Sequence, residues 1–395
     1  MTPFEHHSVP RIIFGVGEFE RRAAHIAAAL GRRQLIVYNG DQSSAQRLSD
    51  LLTSATLHRQ RGEPTVADVD RAVEHAKSHD CDSVIAIGGG SAIDAAKATA
   101  GLLTNGGSAV DYMEVVGQGK KITKPAAPWI AIPTTAGTGA EATRNAVIGL
   151  PEKKFKASIR SELLLPRVAL VDPKLGVNVP PHVTAASGMD ALCQLIEAYT
   201  STGATPFTDS LVLQVIPRVA HSLDRVYLDG QNLEARSDMA LAALFSGIAL
   251  ANAGLGAVHG FAAPLGANFP APHGEICGAL LPHITQANIT ALLEKSAGAT
   301  TDPTLQRYVT LGRLLLDRPD LDDNAALASL LWMIQTGVQG LHIPPLSKYG
   351  LTKGDIPTMV QLAKKASSMR YNPVVLSDQA LSAALAAGIE NPAGK

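Results

Sequence analysis

Asp190, Gln194, His259 and His273 are of the right types to hold a divalent cation. Asp190 and Gln194 stand four apart in Gly188-Met189-Asp190-Ala191-Leu192-Cys193-Gln194, so on a helix they share one face. Downstream come His259 and the segment Ala271-Pro272-His273-Gly274. One carboxylate and two imidazoles can bind such an ion and leave a coordination position open for substrate. The alternative is a set of buried, hydrogen-bonded histidines, because a chain with 12 histidines brings such types together by chance. Spacing alone leaves both open.

A second kind of chemistry is suggested by Gly88-Gly89-Gly90-Ser91, which follows an apolar run and precedes a helical segment. Glycines there let a ligand approach the backbone, and the helix N-terminus offers N–H groups to a phosphate. Asp94 and Lys97 follow one turn apart, able to pair or to reach a ligand. Thr134, Thr135 and Thr138 sit in another glycine-containing loop, and Phe14-Gly15-Val16-Gly17 forms a third small-residue turn. Such turns at strand ends suit one elongated phosphate-bearing ligand of dinucleotide length. The plainer alternative is that each is turn chemistry only. The G-x-G-x-x-G fingerprint is absent at this place.

These residues need strands and helices to position them. Gln34–Tyr38, Ser83–Ile87, Trp129–Ile132 and Val168–Val171 read as strands, with a helix from Ala92 to about Leu103. Strands alternating with helices predict a parallel α/β sheet. From Thr184 the texture becomes Ala- and Leu-rich: Ala185–Tyr199, Pro206–Leu223, Glu234–Leu250, Ala287–Ala297, Ala325–Gly340 and the tail from Lys353 read as helices. The Pro180-Pro181 pair marks the join, and the expected domains are 1–182 and 183–395.

Composition excludes several classes. The 395 residues are 46% apolar and 17% charged, a core-rich balance. A net charge of -1 and 4% aromatics argue against nucleic acid as a partner. Cys81, Cys193 and Cys277 read as too few and too scattered for a disulfide framework or a cysteine-based zinc site. Met239 to Gly274 holds no charged residue, but its Asn, His, Gly and Pro content fits a buried helix followed by irregular backbone better than a membrane span. The opening Met1–His7 has neither a basic nor an apolar signal segment, so a cytoplasmic protein without a membrane partner is expected.

Taken in order, the Gly88–Ser91 turn with Asp94 and Lys97, the loop Pro133–Glu141, Gly188–Ala191, and the stretch from Asn252 through Val258-His259-Gly260 to Pro272-His273-Gly274 resemble the iron-containing (group III) alcohol dehydrogenase family. The match runs from Pro10 to about Pro373. The resemblance implies a Rossmann-like α/β N-terminal domain for NAD or NADP and an all-α C-terminal domain holding a metal, a dehydroquinate synthase-like fold. It places the active site in the cleft between them. It assigns Gly88, Gly89, Gly90 and Ser91 to the cofactor pyrophosphate, with Asp94 on the same helix, and Thr134, Thr135 and Thr138 to its phosphate and ribose. It puts Lys156 near the nicotinamide. Asn39 falls where family members often carry an Asp for the adenosine ribose; a neutral Asn would not repel a 2′-phosphate, so NADP stays open beside NAD.

Two departures from the family pattern matter. The family's metal sites usually combine one Asp with three His, the first of these four residues after the Asp, where this chain has Gln194. A further family histidine, four residues after the His259 position, is Ala263 here. Asp190, His259 and His273 remain as metal ligands, as in the similar glycerol dehydrogenases, with Gln194 a weak ligand or a hydrogen-bond partner of the substrate oxygen. Fewer imidazoles bring zinc forward beside iron. The expected reaction is interconversion of an alcohol with an aldehyde or ketone, with Asp190, Gln194, His259 and His273 at its centre and Phe261, Ala263, Phe269 and Pro270 forming an apolar pocket. Alternatives are a maleylacetate-reductase-like enzyme using Arg144, a metal-free member of the family, a lyase resembling dehydroquinate synthase, and a cofactor-binding protein without catalysis. Family members are often dimers or larger, so a homodimer or higher homo-oligomer is expected.

Overall fold

The computed structural model describes residues 3–390. The chain divides into two compact units, one from His6 to Val179 and one from Pro180 onward.

The first unit alternates strands and helices. Its strands are β1 (Ile12–Phe14), β2 (Gln34–Tyr38), β3 (Ala55–Arg59), β4 (Ser83–Gly88), β5 (Trp129–Pro133), β6 (Asn145–Leu150), β7 (Phe155–Arg160) and β8 (Val168–Val171). Its helices are α1 (Glu18–Leu30), α2 (Ser43–Asp50), α3 (Val66–Ser78), α4 (Gly90–Asn105) and the short α5 (Ala109–Tyr112). Six strands form one parallel sheet in the order β1-β8-β5-β4-β2-β3, while β6 and β7 pair as a separate antiparallel hairpin. Successive residues of β2 face opposite sides: Leu35 and Val37 join the core with α3 and α4, and Ile36 and Tyr38 join the core with α1 and α2. Burial on both faces explains the uninterrupted apolar runs of β2, β4 and β5. Each such side chain contributes about 1.5–3 kcal/mol.

Reading from β2, the chain adds β3 on one side and then crosses back to add β4 on the other. This reversal is the switch point of an open α/β sheet, and ligands of such sheets bind outside the carboxyl ends of the strands there. The order from β3 to β8 follows the 2-1-3-4-5 doubly wound pattern, not 3-2-1-4-5-6. Sequence reading found β2, β4, β5 and β8 but missed the others. β1 has three residues, β3 is a half-buried edge with the polar sequence Ala-Thr-Leu-His-Arg, and the β6–β7 hairpin lies outside the parallel sheet.

The second unit is helical: α6 (Pro181–Thr200), α7 (Pro206–Leu228), α8 (Leu233–Ala253), α9 (Ala257–Asn268), α10 (His273–Lys295), α11 (Pro303–Leu315), α12 (Asp323–Gly340), α13 (Ile356–Ala363) and α14 (Asp378–Glu390). Thr205, Asn232, Asp302 and Asp322 cap α7, α8, α11 and α12 by accepting main-chain N–H bonds. Two expectations are corrected here. The irregular backbone expected after α8 is a second helix, α9, turned by 99° across the break at residues 254–256. Gly256, Gly260 and Pro264 hid it, although Pro264 is tolerated well inside α9. Helix α10 begins at His273 and not near Ala287, because its first turns carry Gly274, Gly278 and Pro282. It is long and apolar enough to cross a bilayer, yet 67% of its apolar window is buried within the chain. That fits a core helix packed on α6, α9 and α14.

Candidate functional site

In the first unit the glycine turn and the threonine loop meet. Thr134 N–H donates to Gly88 O at 3.0 Å, and Gly89 N–H donates to Asn39 Oδ1 at 3.0 Å. Asn39 thus joins the carboxyl end of β2 to that of β4 at the switch point. Gly88 has φ +154°, and a Cβ there would lie 2.1 Å from Asn39 Oδ1, so only glycine fits the bond. A Cβ on Gly90 would lie 2.8 Å from the Thr138 methyl, and one on Gly89 would lie 3.1 Å from Thr135 Oγ1. Ser91 lies in the first turn of α4, whose N-terminus opens at these loops. This is the arrangement that receives a phosphate.

Asp94 and Lys97 are tied into the scaffold of the same loop. Lys97, fully buried, donates to Ala140 O at 2.8 Å, Thr143 Oγ1 at 2.7 Å and Asn145 O at 2.7 Å. Burial pushes its ammonium down, and Asp94, 3.6 Å away, opposes that. Asp94 also accepts from Val147 N–H at 3.0 Å. Glu141, buried in the same loop, is raised to about 7 by desolvation. Lys156 lies on β7 and pairs with Glu63.

In the second unit, α6 presents Asp190, Cys193, Gln194 and Glu197 at three- and four-residue spacing, one helical face. Gly274 allows α10 to press on this helix, since a Cβ there would lie 2.1 Å from Ala186 O. His273 and Cys277, one turn apart on α10, thereby reach Asp190. His259, in the first turn of α9, is held by Glu197, which accepts from His259 Nδ1 at 2.7 Å and from Val258 N–H at 2.7 Å. Its other nitrogen, Nε2, lies 3.3 Å from Asp190 Oδ1 and 3.7 Å from Cys277 Sγ. His273 Nε2 is 3.7 Å from the same Asp190 oxygen. Gln194 turns its amide nitrogen to Asp190 Oδ1 at 3.2 Å, and its oxygen faces Ser246 Oγ at 2.8 Å.

Charge governs this cluster. Burial alone would drive protons off both imidazoles, but the charges of Cys277 and Asp190 reverse that: His259 is held well above its ordinary value and His273 is raised to about 9. Burial would also raise the Cys277 thiol, yet the hydrogen bond from Cys193 and the adjoining imidazoles hold it well below the usual range. Cys193 is raised, chiefly by burial. If His259 gives its Nδ1 proton to Glu197, a bare Nε2 would face a carboxylate oxygen, which requires a proton or a cation between them. Asp190, His259, His273 and Cys277 place one donor atom each within 4.8 Å of one another, a set that fits a divalent cation. His273 keeps 39% of its side-chain exposure, so it forms the open side of the cluster.

Residues 10–173 match the family described as iron-containing alcohol dehydrogenase, and residues 184–388 match the C-terminal part of that family. The chain belongs to the iron-containing alcohol dehydrogenase family. A choline dehydrogenase of Bacillus subtilis is 32% identical over 389 residues, 96% of this chain and 94% of that protein. The crystal structure of a 1,3-propanediol oxidoreductase is 28% identical with a TM-score of 0.88, covering 97% of this chain and 99% of that one. A sulfoacetaldehyde reductase of Bifidobacterium kashiwanohense, solved in complex with NAD+, is 28% identical with a TM-score of 0.84, covering 99% and 100%. These relatives make the family one of oxidoreductases that interconvert alcohols and carbonyl compounds.

Within this family framework several sequence expectations change. Cys193 and Cys277 are not scattered: both sulfurs approach His259, at 3.8 and 3.7 Å. Glu197 and Ser246 were also missed. The signal was present in the spacings, since Cys193 and Glu197 continue the Asp190 helical face and Cys277 stands four residues after His273. Phe261 is fully buried and belongs to the core, not to an accessible pocket wall; Ala263 and Phe269 are half-buried and Pro270 is exposed. Arg144 has a buried Nε with no hydrogen-bond partner among the described residues.

Proposed function

We propose that this chain interconverts a small neutral alcohol and its aldehyde or ketone with NAD or NADP, assisted by a divalent cation held by Asp190, His259 and His273. The observation that carries this reading is the convergence of both Nε2 atoms on Asp190 Oδ1, at 3.3 and 3.7 Å. When bound, a divalent cation acts as a Lewis acid that favours the alkoxide of an alcohol and polarises a carbonyl, and the nicotinamide takes or gives the hydride.

The chain's own residues then have separate tasks. Gly88, Gly89, Gly90 and Ser91 at the start of α4 receive the pyrophosphate, and Thr134, Thr135 and Thr138 offer hydroxyls beside it. Asn39 sits where an adenosine ribose would meet the end of β2, and its neutral side chain admits either cofactor. Lys97 and Asp94 hold the threonine loop in place. Glu197 fixes the ring of His259 so that Nε2 points at Asp190, and Gln194 orients the Asp190 carboxylate by donating to it. Gln194 could act as a ligand only after its amide turned over, so orientation is its better-supported role. His273, the partly exposed member, marks the open side of the cluster from which a substrate would approach.

The test is steady accumulation of NADH or NADPH by the purified full chain over a panel of alcohols, with the Asp190→Asn, His273→Ala double variant beside it. Turnover that vanishes in the double variant supports the reading; turnover that persists there removes the cluster from catalysis. Net reduction of the nicotinamide also distinguishes a dehydrogenase from a lyase that regenerates its cofactor. A second reading, a reductase of carboxylate-bearing carbonyl compounds, is favoured by the unpartnered Nε of Arg144. It requires that such substrates outperform neutral ones and that Arg144→Gln abolish the preference.

A further inference from the structure

The family pattern provides an imidazole where this chain has Gln194, and the structure offers a sulfur at the same cluster. We propose that Cys277 is a thiolate ligand beside Asp190, His259 and His273, in a site that suits zinc better than iron and whose partly exposed His273 side leaves room for substrate as a fifth ligand. This deepens the reading above and rests on its claim that the cluster holds a cation.

The geometry is that of a tetrahedron's edges. Bonds of about 2.0–2.1 Å to nitrogen or oxygen and about 2.3 Å to sulfur, set at tetrahedral angles, separate N from O by about 3.4 Å and N from S by about 3.6 Å. The structure has His259 Nε2 to Asp190 Oδ1 at 3.3 Å, His273 Nε2 to Asp190 Oδ1 at 3.7 Å, and Cys277 Sγ to His259 Nε2 at 3.7 Å. The remaining donor pairs also lie within 4.8 Å. Cys277 is fully buried among these groups, one helical turn from His273, so both are carried by the rigid start of α10. Cys193 is excluded as the main candidate because its sulfur faces His259 Nδ1, the nitrogen already held by Glu197.

Charge and ligand softness agree with the geometry. A carboxylate, a thiolate and two neutral imidazoles balance a 2+ ion, whereas one carboxylate with three imidazoles leaves a net positive charge to bury. Thiolate and imidazole donors at tetrahedral spacing favour zinc, while iron(II) suits sets richer in oxygen and nitrogen. Binding displaces the protons held in the cluster, chiefly those on His259 and His273, to the buffer and forms the metal–sulfur bond, with no change of oxidation state.

Cobalt(II) is the probe. The full chain, stripped with a chelator and kept reduced, is loaded with cobalt(II) and its absorption spectrum recorded, which needs no variant. A near-ultraviolet sulfur-to-cobalt charge-transfer band at one cobalt per chain is expected, lost in Cys277→Ser and retained in Cys193→Ser. Zinc affinity, measured by chelator competition, is expected to fall at least tenfold in Cys277→Ser. Cobalt bound at one per chain without the band would overturn the thiolate ligand while leaving the cation site intact. A band that survives Cys277→Ser and disappears in Cys193→Ser would assign the wrong sulfur here. Failure to bind cobalt or zinc at all would overturn both this inference and the metal reading beneath it.

Discussion

Glu197 grips His259 at two points, accepting from its ring Nδ1 at 2.7 Å and from its main-chain N–H at 3.4 Å. The same carboxylate takes the N–H of Val258, so it fixes both the start of α9 and the direction of the imidazole. A carboxylate behind a ligating histidine sets its tautomer and raises its basicity, and removing such a partner typically lowers metal affinity 10–100-fold. Glu197→Gln keeps an acceptor for Val258 N–H but removes the charge. Its zinc affinity, followed by chelator competition, is expected to fall within that range while the fold persists. Unchanged affinity would make Glu197 a helix-capping residue only.

On the proposed reading, Asn39 is the residue beside a cofactor's adenosine ribose and so governs tolerance of a 2′-phosphate. Its side chain accepts from Gly89 N–H, a role an aspartate oxygen can fill. Asn39→Asp is therefore expected to keep the turn and add only charge. The ratio of kcat/KM for NADP to that for NAD should fall about tenfold, a penalty near 1.4 kcal/mol from like charges. A ratio that does not move would place the ribose elsewhere.

Gly274 sets the distance between α10 and α6. Gly274→Ala would drive a Cβ to 2.1 Å from Ala186 O, main chain that can yield only if the helices separate. Overpacking of this kind costs about 1–3 kcal/mol. Because His273 and Cys277 ride on the displaced helix, metal affinity and thermal stability should fall together. Loss of stability with full metal affinity would show that the two histidines and the aspartate are held by other contacts.

Glu141 provides a pH test. Desolvation raises its carboxyl to about 7 from 4.5, so the folded state retains a proton that the unfolded chain gives up. Its contribution to stability is complete below 4.5 and is lost as pH rises through 7, about 3 kcal/mol in all. Glu141→Gln cannot lose that proton. The melting temperature of the variant minus that of the native chain should increase by a few degrees from about pH 5 to about pH 8, whatever the fixed offset between them. A difference independent of pH would mean that the carboxylate is ionised in the fold and matched by Lys97.

The parts of this molecule legible in its sequence are those where local chemistry and burial agree. The strands β2, β4, β5 and β8 are apolar on both faces, and Gly88–Ser91 announces a strand-to-helix turn by composition alone. The parts that were not legible depend on tertiary contact. The edge strand β3 is polar because one flank is open, and α9 forms despite Pro264 because Glu197 and Asn372 hold its first N–H groups, at 2.7 Å on Val258 and 3.0 Å on Ala257. Asp190, Gln194, His259 and His273 were found as types and spacings, and the structure brings all four together. Cys277 is not legible as a member of the site because Gly274, Gly278 and Pro282 conceal the helix that puts it one turn from His273.

On the proposed reading, turnover depends on a cation held by Asp190, His259 and His273. Stripping the purified chain, titrating zinc or iron(II) back, and following NADH formation from an alcohol at each addition measures that dependence. Activity should be absent at the start, rise in proportion to bound metal, and level off at one ion per chain, with no rise in the Asp190→Asn, His273→Ala variant. Full turnover in the stripped protein, or a titration that the double variant reproduces, would contradict it.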